Sequence, residues 1–402
     1  MNPRDVVIVS ACRTPIGKNM GQFKDLTARD LAIIAGTEAI RRAGIDAKII
    51  DEAVMGELYT GMQGSMPCRQ VSIRIGLAPS SNAVSVNQNC ASGMRALEVI
   101  TNDIQLGKTD IGLAIGVESM TNAPYMMEKA RMGYRMGDSK IFDSMIHDGL
   151  FDELVPGHMG LTAENIAELY GITREECDHL AVTSHNRACA AIDAGVFKDE
   201  IVPVTIKGKK GDVVYDTDEH PIRNCTLESL SKLKPAFKKD GVITAANASG
   251  INDAAAAVIV MSWEKCQELG LTPLVKMIDI CGAGVEPRVM GLGPAESIPK
   301  CLKRSGMKFE DVEYWEINEA FSAQFLGVGI KLKQDHGMDL TMDKVNHNGS
   351  GIALGHPVGC TALRIIVSLI YEMIHKDYTI GGAALCVGGG PSMCSLWTRH
   401  FD

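Results

Sequence analysis

Short apolar runs rich in β-branched residues recur along the 402-residue chain, separated by longer stretches whose apolar positions fall three and four residues apart. Near the N-terminus VVIVSA has strand texture, LTARDLAIIAGTEAIRRAGI has helical spacing, and EAVMGEL returns to a strand pattern. Alternation of this kind predicts a layered α/β fold. The pattern also repeats. AIRRAGIDAKIIDEAVMGE (39–57) aligns without a gap on CLKRSGMKFEDVEYWEINE (301–319), and both read as helix, glycine C-cap, loop, then strand. VNQNCASG (86–93) has an echo in VNHNGSG (345–351) at a similar separation. Two related halves are therefore expected, with a site where they meet.

Between the repeats the texture changes. Residues 123–245 hold a Met-rich charged stretch, a predicted helix over Thr162–Tyr170, another from Arg174 across Ala194, and a Lys-rich hairpin, VTIKGKKGDVVYD. They read as an inserted domain, dividing the chain into an N-terminal half (1–122 plus 246–271), the insertion (123–245) and a C-terminal half (272–402). NASGINDAAAAVIVM (247–261) suits a buried helix or strand that completes the first half. The uncharged window Tyr378–Thr398 is broken by Gly381, Gly382 and the GGGP turn at 388–391, so it reads as a buried strand and a tight glycine loop, not a membrane span.

Composition narrows the function classes. With 40 Lys plus Arg against 49 Asp plus Glu the formal net charge is −9, which disfavours bulk attraction to nucleic acid or anionic membrane. The 46% hydrophobic share and 22% charged share are those of a globular protein. Twelve cysteines are scattered with no CxxC pair, so neither a zinc site nor a disulfide scaffold is expected. The N-terminal apolar run is too short for a signal-peptide core, and cytoplasmic residence is the expectation.

Four places carry candidate chemistry. Cys90, in NCASGM, stands where a strand end meets a helical segment; a helix N-terminus lowers a thiol pKa and favours the nucleophilic thiolate. His356 lies between Gly355 and Pro357 in a loop just before a helix, a suitable place for a base. Cys386 ends an apolar strand beside Gly388, Gly389 and Gly390, whose backbone N–H groups could receive an oxyanion. Asn318 and Glu319 end another apolar strand and need polar partners if buried. Each also has a bland alternative: a small buried thiol, a satisfied loop histidine, a tight turn, a solvated strand end. His347 reads as packing.

These motifs, NCASGM (89–94), NEAF (318–321), GHPVG (355–359) and CVGGG (386–390), together with HMGLTAENIA (158–167) and NASGIND (247–253), resemble the thiolase family in order and spacing over essentially the whole chain, and within it the short-chain acetyl-CoA acetyltransferases. The resemblance implies a thiolase fold: two related βαβαβαββ halves in a five-layered α-β-α-β-α body with an inserted loop domain. It implies that Cys90 is acylated, His356 takes its proton, and Cys386 abstracts a proton from the second acetyl-CoA. Asn318 would hold a water that forms one oxyanion hole with His356, and the N–H groups of Cys90 and Gly388 would form the other. Coenzyme A, substrate and product with no resident cofactor, would meet Arg223, Ser229, Leu233, Ser249, Ala320 and Phe321, while His158, Met159 and Met290 would line the acyl pocket.

Lys207, Lys209 and Lys210 either attract the nucleotide diffusely or form a solvated hairpin face. Where the family often has NGG, this chain has Asn348, Gly349 and Ser350, which leaves the adjoining pocket wall open. The implied activity is the Claisen condensation of two acetyl-CoA, by a homodimer or homotetramer with Met126–Asp138 as a tetramer contact. A degradative 3-ketoacyl-CoA thiolase, a ketoacyl synthase and a noncatalytic acyl-CoA or lipid-binding module are the alternatives. The retained Cys90, Asn318, His356 and Cys386 argue against the last two.

Overall fold

The computed structural model describes residues 1–209 and 211–401; Lys210 of the basic hairpin lies outside them. The N-terminal half contributes β1 (Val6–Arg13), α1 (Ala28–Ala43), β2 (Glu52–Gly56), β3 (Asn82–Val86), α2 (Ser92–Gln105) and β4 (Ile111–Ser119). Helices α3 (Gly160–Tyr170) and α4 (Arg174–Ala194) follow, then β5 (Asn252–Ser262). The C-terminal half contributes β6 (Val275–Gly284), α5 (Pro294–Ser305), β7 (Tyr314–Ile317), α6 (Ser322–His336), α7 (Val358–His375), β8 (Ile380–Cys386) and β9 (Pro391–Thr398).

The repeat read from the sequence is a repeat of structure. Helix α1 ends at Gly44 with φ 69°, passes a 3-10 turn at Ala47–Ile49 and enters β2. Helix α5 ends at Gly306 with φ 70°, passes a 3-10 turn at Phe309–Asp311 and enters β7. A left-handed cap favours glycine because no Cβ crowds the backbone, so the same residue type closes both helices. The second echo also has a counterpart. Strand β3 runs parallel to β2, whereas Val345 makes only a single parallel bridge to Trp315 of β7.

Nine strands run in the order β7-β8-β9-β6-β1-β5-β4-β2-β3. Each half has parallel pairing at its outer edge (β2–β3, β7–β8) and antiparallel pairing further in. The two halves join edge to edge through the pairs Val7–Lys276 and Ile8–Val275, with the Leu274 N–H donating to the Ile8 carbonyl at 2.8 Å. Strand faces alternate as a period of two requires. Val6 and Ile8 face the central layer, together with Val258 and Val260 of β5, Leu385 of β8 and Trp397 of β9. That layer is α2, through Met94, Leu97 and Ile100, and α7, through Leu363, Ile366 and Ile370. Val7, Val9, Ile259 and Met261 face the other way, onto α1. Trp315, Ile317, Ala384 and Leu396 face outward in the C-terminal half, onto α5 and α6. The result is a five-layered α-β-α-β-α body, as the resemblance implies.

Three segments sharpen the sequence reading. From Asn252 onward NASGINDAAAAVIVM is strand, and its small side chains let α1 approach one face and α7 the other. The glycine-broken window Tyr378–Thr398 is a hairpin of two strands, β8 and β9. Helix α7 is the one stretch long and apolar enough to cross a membrane among the described residues, yet 83% of it is buried inside the protein, as befits a central layer. The segment after α4 is fastened to the end of β1 by Arg13, which is fully buried. Its Nε meets Glu200 at 2.6 Å, and Nη1 and Nη2 meet Asp218 at 2.7 and 2.9 Å. Removing one partner of such a buried pair typically costs about 3–5 kcal/mol, so this anchor tolerates little change.

Gly56, the last residue of β2, is pressed against the start of α2: a Cβ there would stand 2.2 Å from the Ser92 carbonyl carbon and oxygen. Backbone cannot yield as a side-chain tip can. Gly56→Ala is expected to lower stability by about 1–3 kcal/mol in chemical denaturation. Gly329→Ala on α6, where a Cβ meets nothing within 4 Å, is expected to match or exceed the wild type.

Candidate active site

Cys90 sits in a 3-10 turn, Asn89–Ala91, that leads directly into α2. Asn89 adopts φ 45°, and its Nδ2 donates to the Gly388 carbonyl at 3.2 Å, tying this turn to the glycine loop after β8. Leu58, Tyr59, Met120 and Val358 form an apolar wall against which the half-buried Cys90 packs.

His356 arrives from the other half of the chain. Gly355 before it has φ 101°, and a Cβ at that position would strike the Asn252 amide at 2.5 Å. The same amide oxygen accepts the His356 backbone N–H at 3.0 Å. On the ring, Nε2 lies 3.3 Å from Cys90 Sγ and Nδ1 lies 2.6 Å from Thr361 Oγ1. The tautomer follows from the hydrogen-bond chain. Thr361 donates its one hydroxyl proton to the Pro357 carbonyl at 3.0 Å, so it must accept from Nδ1. The ring proton is on Nδ1, and the Nε2 lone pair faces the Cys90 S–H.

Burial decides the charge of this pair. It pushes the Cys90 thiol up to about 11, against the opposing pull of the backbone N–H groups of Gly388 and Cys90 itself. It also brings His356 down to about 3, with the Arg364 cation adding to the effect. The expectation that the helix N-terminus lowers the Cys90 pKa is therefore corrected: desolvation exceeds the local dipoles, and the resting pair is neutral thiol and neutral imidazole. Cys386, 1% exposed, is held far above the ordinary thiol range by burial first and by neighbouring Cys90 second.

Cys90, His356, Cys386 and Gly388 all line one cavity of about 280 Å³. Its walls include His158, Met159, Ser249, Met290, Ala320 and Phe321, residues that the family resemblance implied. Phe237, which sequence reasoning missed, stacks on His158 with centroids 4.6 Å apart and meets Phe321 edge-on at 6.0 Å. His158 Nδ1 accepts from the Gly160 N–H at 3.1 Å, and burial lowers its pKa, so a neutral Nε2–H ring remains. Ser249 donates its backbone N–H to the Ala320 carbonyl at 2.9 Å, which joins the two wall segments.

Asn318 and Glu319 part company. The Glu319 carboxylate is taken by Ser184 Oγ at 2.6 Å and Asn346 Nδ2 at 2.9 Å, a structural role. The Asn318 side chain is fully buried, and neither its Oδ1 nor its Nδ2 has a partner among the described residues. Orphaned buried amides are rare, and Asn318 is not among the residues that line the cavity. Ser350, the departure from the NGG pattern, is buried away from the cavity lining and donates to the Ile317 carbonyl at 3.2 Å. His347 packs on Tyr314 at 4.6 Å and engages Glu372 and the Asp343 carbonyl through its two nitrogens.

Arg223, Ser229 and Leu233 do not line the cavity. They lie on the exposed surface, with Arg223 paired to Asp193 at 2.9 Å. Lys207 and Lys209 are exposed on the hairpin, and Met132 and Met136 project from the Met126–Asp138 stretch at 76% and 98% exposure. Glu118, unnoticed in the sequence, is fully buried and accepts three backbone N–H bonds, from Leu58, Tyr59 and Gly359. It thereby fixes the start of α7 against the wall behind Cys90. A single acid in the otherwise uncharged run IGLAIGVESM was the signal.

Thr361 is a positioning residue. Thr361→Val leaves a buried Nδ1–H without an acceptor, a loss of about 1–3 kcal/mol. It is expected to lower the rate of Cys90 acylation by at least about fivefold with KM nearly unchanged, and Thr361→Ser is expected to restore most of it. Stopped-flow or quench measurement of the first half-reaction checks both.

Comparison with known proteins matches this arrangement. The family model "Thiolase, N-terminal domain" matches residues 6–264, and "Thiolase, C-terminal domain" matches residues 271–399. The chain is 49% identical over 389 residues to an acetyl-CoA acetyltransferase of Syntrophomonas wolfei, covering 96% of this chain and 97% of the relative. A solved acetyl-CoA acetyltransferase structure from Syntrophomonas wolfei superposes with a TM-score of 0.98 at 58% identity, covering 99% and 100% of the two chains. Human mitochondrial 3-ketoacyl-CoA thiolase in complex with CoA superposes with a TM-score of 0.93 at 36% identity over the full length of both. With both of its halves matched and the cysteine, histidine and glycine motifs gathered around one cavity, this chain belongs to the thiolase family.

Proposed function

We propose that this thiolase is an acetyl-CoA C-acetyltransferase, joining two acetyl-CoA into acetoacetyl-CoA and free CoA through an acetyl-Cys90 intermediate. The observation that carries the reading is the 3.3 Å contact between Cys90 Sγ and an His356 Nε2 whose lone pair faces it, in a cavity shared with Cys386. As Cys90 attacks the thioester carbonyl, its proton passes to Nε2, and the N–H groups of Cys90 and Gly388 receive the oxyanion. Collapse expels the CoA thiolate, which takes the Cys386 proton and leaves as free thiol. The site then holds an imidazolium and the Cys386 thiolate, opposite charges in a dry pocket.

The second acetyl-CoA meets this charged pair. Cys386 removes its α-proton; burial makes the thiolate a strong base, which a carbon acid needs. His356 and a water held by the unpaired Asn318 amide stabilise the enolate oxygen. The enolate carbon attacks acetyl-Cys90, and the departing Cys90 sulfur recovers its proton from His356. Protons balance over the cycle, and every step reverses for thiolysis. Ser249, Ala320 and Phe321 line the inner pantetheine path, with Ser229, Leu233 and Arg223 of the inserted segment 123–245 farther out. The Arg223–Asp193 pair is exposed on both sides, so the guanidinium exchanges its partner at small cost.

Met159, Met290 and the His158–Phe237 stack, packed around the cavity, favour a short acyl group over the long chain of a broad-range degradative thiolase. Reduced cytoplasmic thiols and a homodimer or homotetramer complete the proposal. Acetyl-CoA alone is expected to add one acetyl group to the wild type by intact mass and none to Cys90→Ala. Cys386→Ser is expected to keep that acetylation while condensation falls by about 100-fold or more. Full condensation by Cys90→Ala, or faster thiolysis of a long-chain 3-ketoacyl-CoA than of acetoacetyl-CoA, would overturn the reading.

A further inference from the structure

A second thiol cluster lies outside the active site, on the outward face of the C-terminal half. Cys281 of β6 and Cys394 of β9 stand directly opposite each other in the antiparallel register, and both pack with Cys301 of α5 in one buried core. Asp279 lies two residues before Cys281 on the same strand, so its side chain points to the same face. The donor atoms of Asp279, Cys281 and Cys301 all lie within 4.8 Å of one another. Cys301 Sγ is 3.6 Å from Asp279 Oδ2 and 3.8 Å from the Cys394 carbonyl. Cys281 is 3% exposed, and Cys301 and Cys394 are fully buried.

We propose that Asp279, Cys281 and Cys301 form a binding site for one thiophilic divalent metal ion of the zinc type. Two sulfurs at about 2.3 Å and a carboxylate oxygen at about 2.0–2.2 Å from a shared centre place the donors within the observed mutual spacing. Charge also closes. Two thiolates and one carboxylate bring −3 and the ion +2; the remaining −1 is met by Arg304, which grips Asp279 through Nε at 2.9 Å and Nη2 at 3.0 Å. A carboxylate has about four lone-pair positions, so this fork leaves capacity for the metal while orienting the ligand. Binding releases two protons, one from each thiol, and requires no oxidant. The ligands are far apart in sequence and contain no CxxC, which is why spacing alone argued against zinc.

An ion here would staple β6 to α5. Just past the end of β6, the Val285 N–H donates to the Gly390 carbonyl at 2.9 Å, so the stapled strand leads to the glycine loop beside Cys386.

The test uses the full chain carrying Cys90→Ala and Cys386→Ser, which removes the active-site thiols, under a non-thiol reductant. Titration with Co²⁺ is expected to give sulfur-to-cobalt charge-transfer absorption saturating at one ion per chain and erased by Zn²⁺. Adding Cys301→Ser is expected to abolish the band, and Asp279→Asn to weaken Co²⁺ binding by about tenfold or more. Circular dichroism establishes that each variant is folded. No stoichiometric band in the folded parent, or an equal band in the folded Cys301→Ser variant, overturns the proposal.

Discussion

The contact between Cys90 sulfur and His356 Nε2 is the constraint around which the rest of the molecule is arranged. Its two partners come from different halves of the chain, so it exists only if both halves fold and α2 and α7 lie side by side between their strands. A Cβ on Gly93 of α2 would come within 2.9 Å of the Leu363 Cβ on α7, closer than Cβ atoms stand in practice. Glu118 holds the N-terminus of α7, Asn252 holds the His356 backbone, and Thr361 selects the ring tautomer. None of these touches the cavity's reacting atoms directly, yet together they hold a hydrogen bond between two neutral groups in a desolvated place.

Neutrality follows from the same packing. A thiol at a helix start has backbone dipoles that favour the anion, and on that ground alone Cys90 would ionise readily. Here the apolar wall of Leu58, Tyr59, Met120 and Val358 removes water, and the loss of solvation outweighs those dipoles. Charge is then separated only when a substrate arrives to receive it. In the mechanism proposed, such a site keeps its nucleophile protonated at rest and makes the Cys386 thiolate a stronger base once formed.

Much of this was legible in the chain. The gapless match of 39–57 with 301–319 foretold two helix–cap–turn–strand units, because glycine at a left-handed cap is a local requirement that sequence displays directly. Cys90, His356, Cys386 and Gly388 were legible as strand-end and glycine-flanked positions. The sign of the Cys90 pKa was not, since desolvation depends on residues distant in sequence. Thr361 was hidden as an ordinary residue in an apolar helix, and Glu118 as one acid near a strand end; each acts through a partner that only the fold supplies. Asn318 and Glu319 looked equivalent as neighbours, and the difference between an orphaned amide and a fully paired carboxylate is a tertiary fact. The Asp279–Cys281–Cys301 cluster was invisible for the same reason, being made by strand register and a helix laid across it.

At rest Cys90 and His356 are both neutral, with the ring proton on Nδ1 of His356. Nitrogen-15 NMR of histidine-labelled protein, with the His356 signals assigned by their loss in His356→Asn, reads this directly. A neutral imidazole protonated at Nδ1 is expected from pH 8 down to about 5, below the ordinary histidine range. An imidazolium at pH 7, or a neutral ring carrying its proton on Nε2, would contradict it.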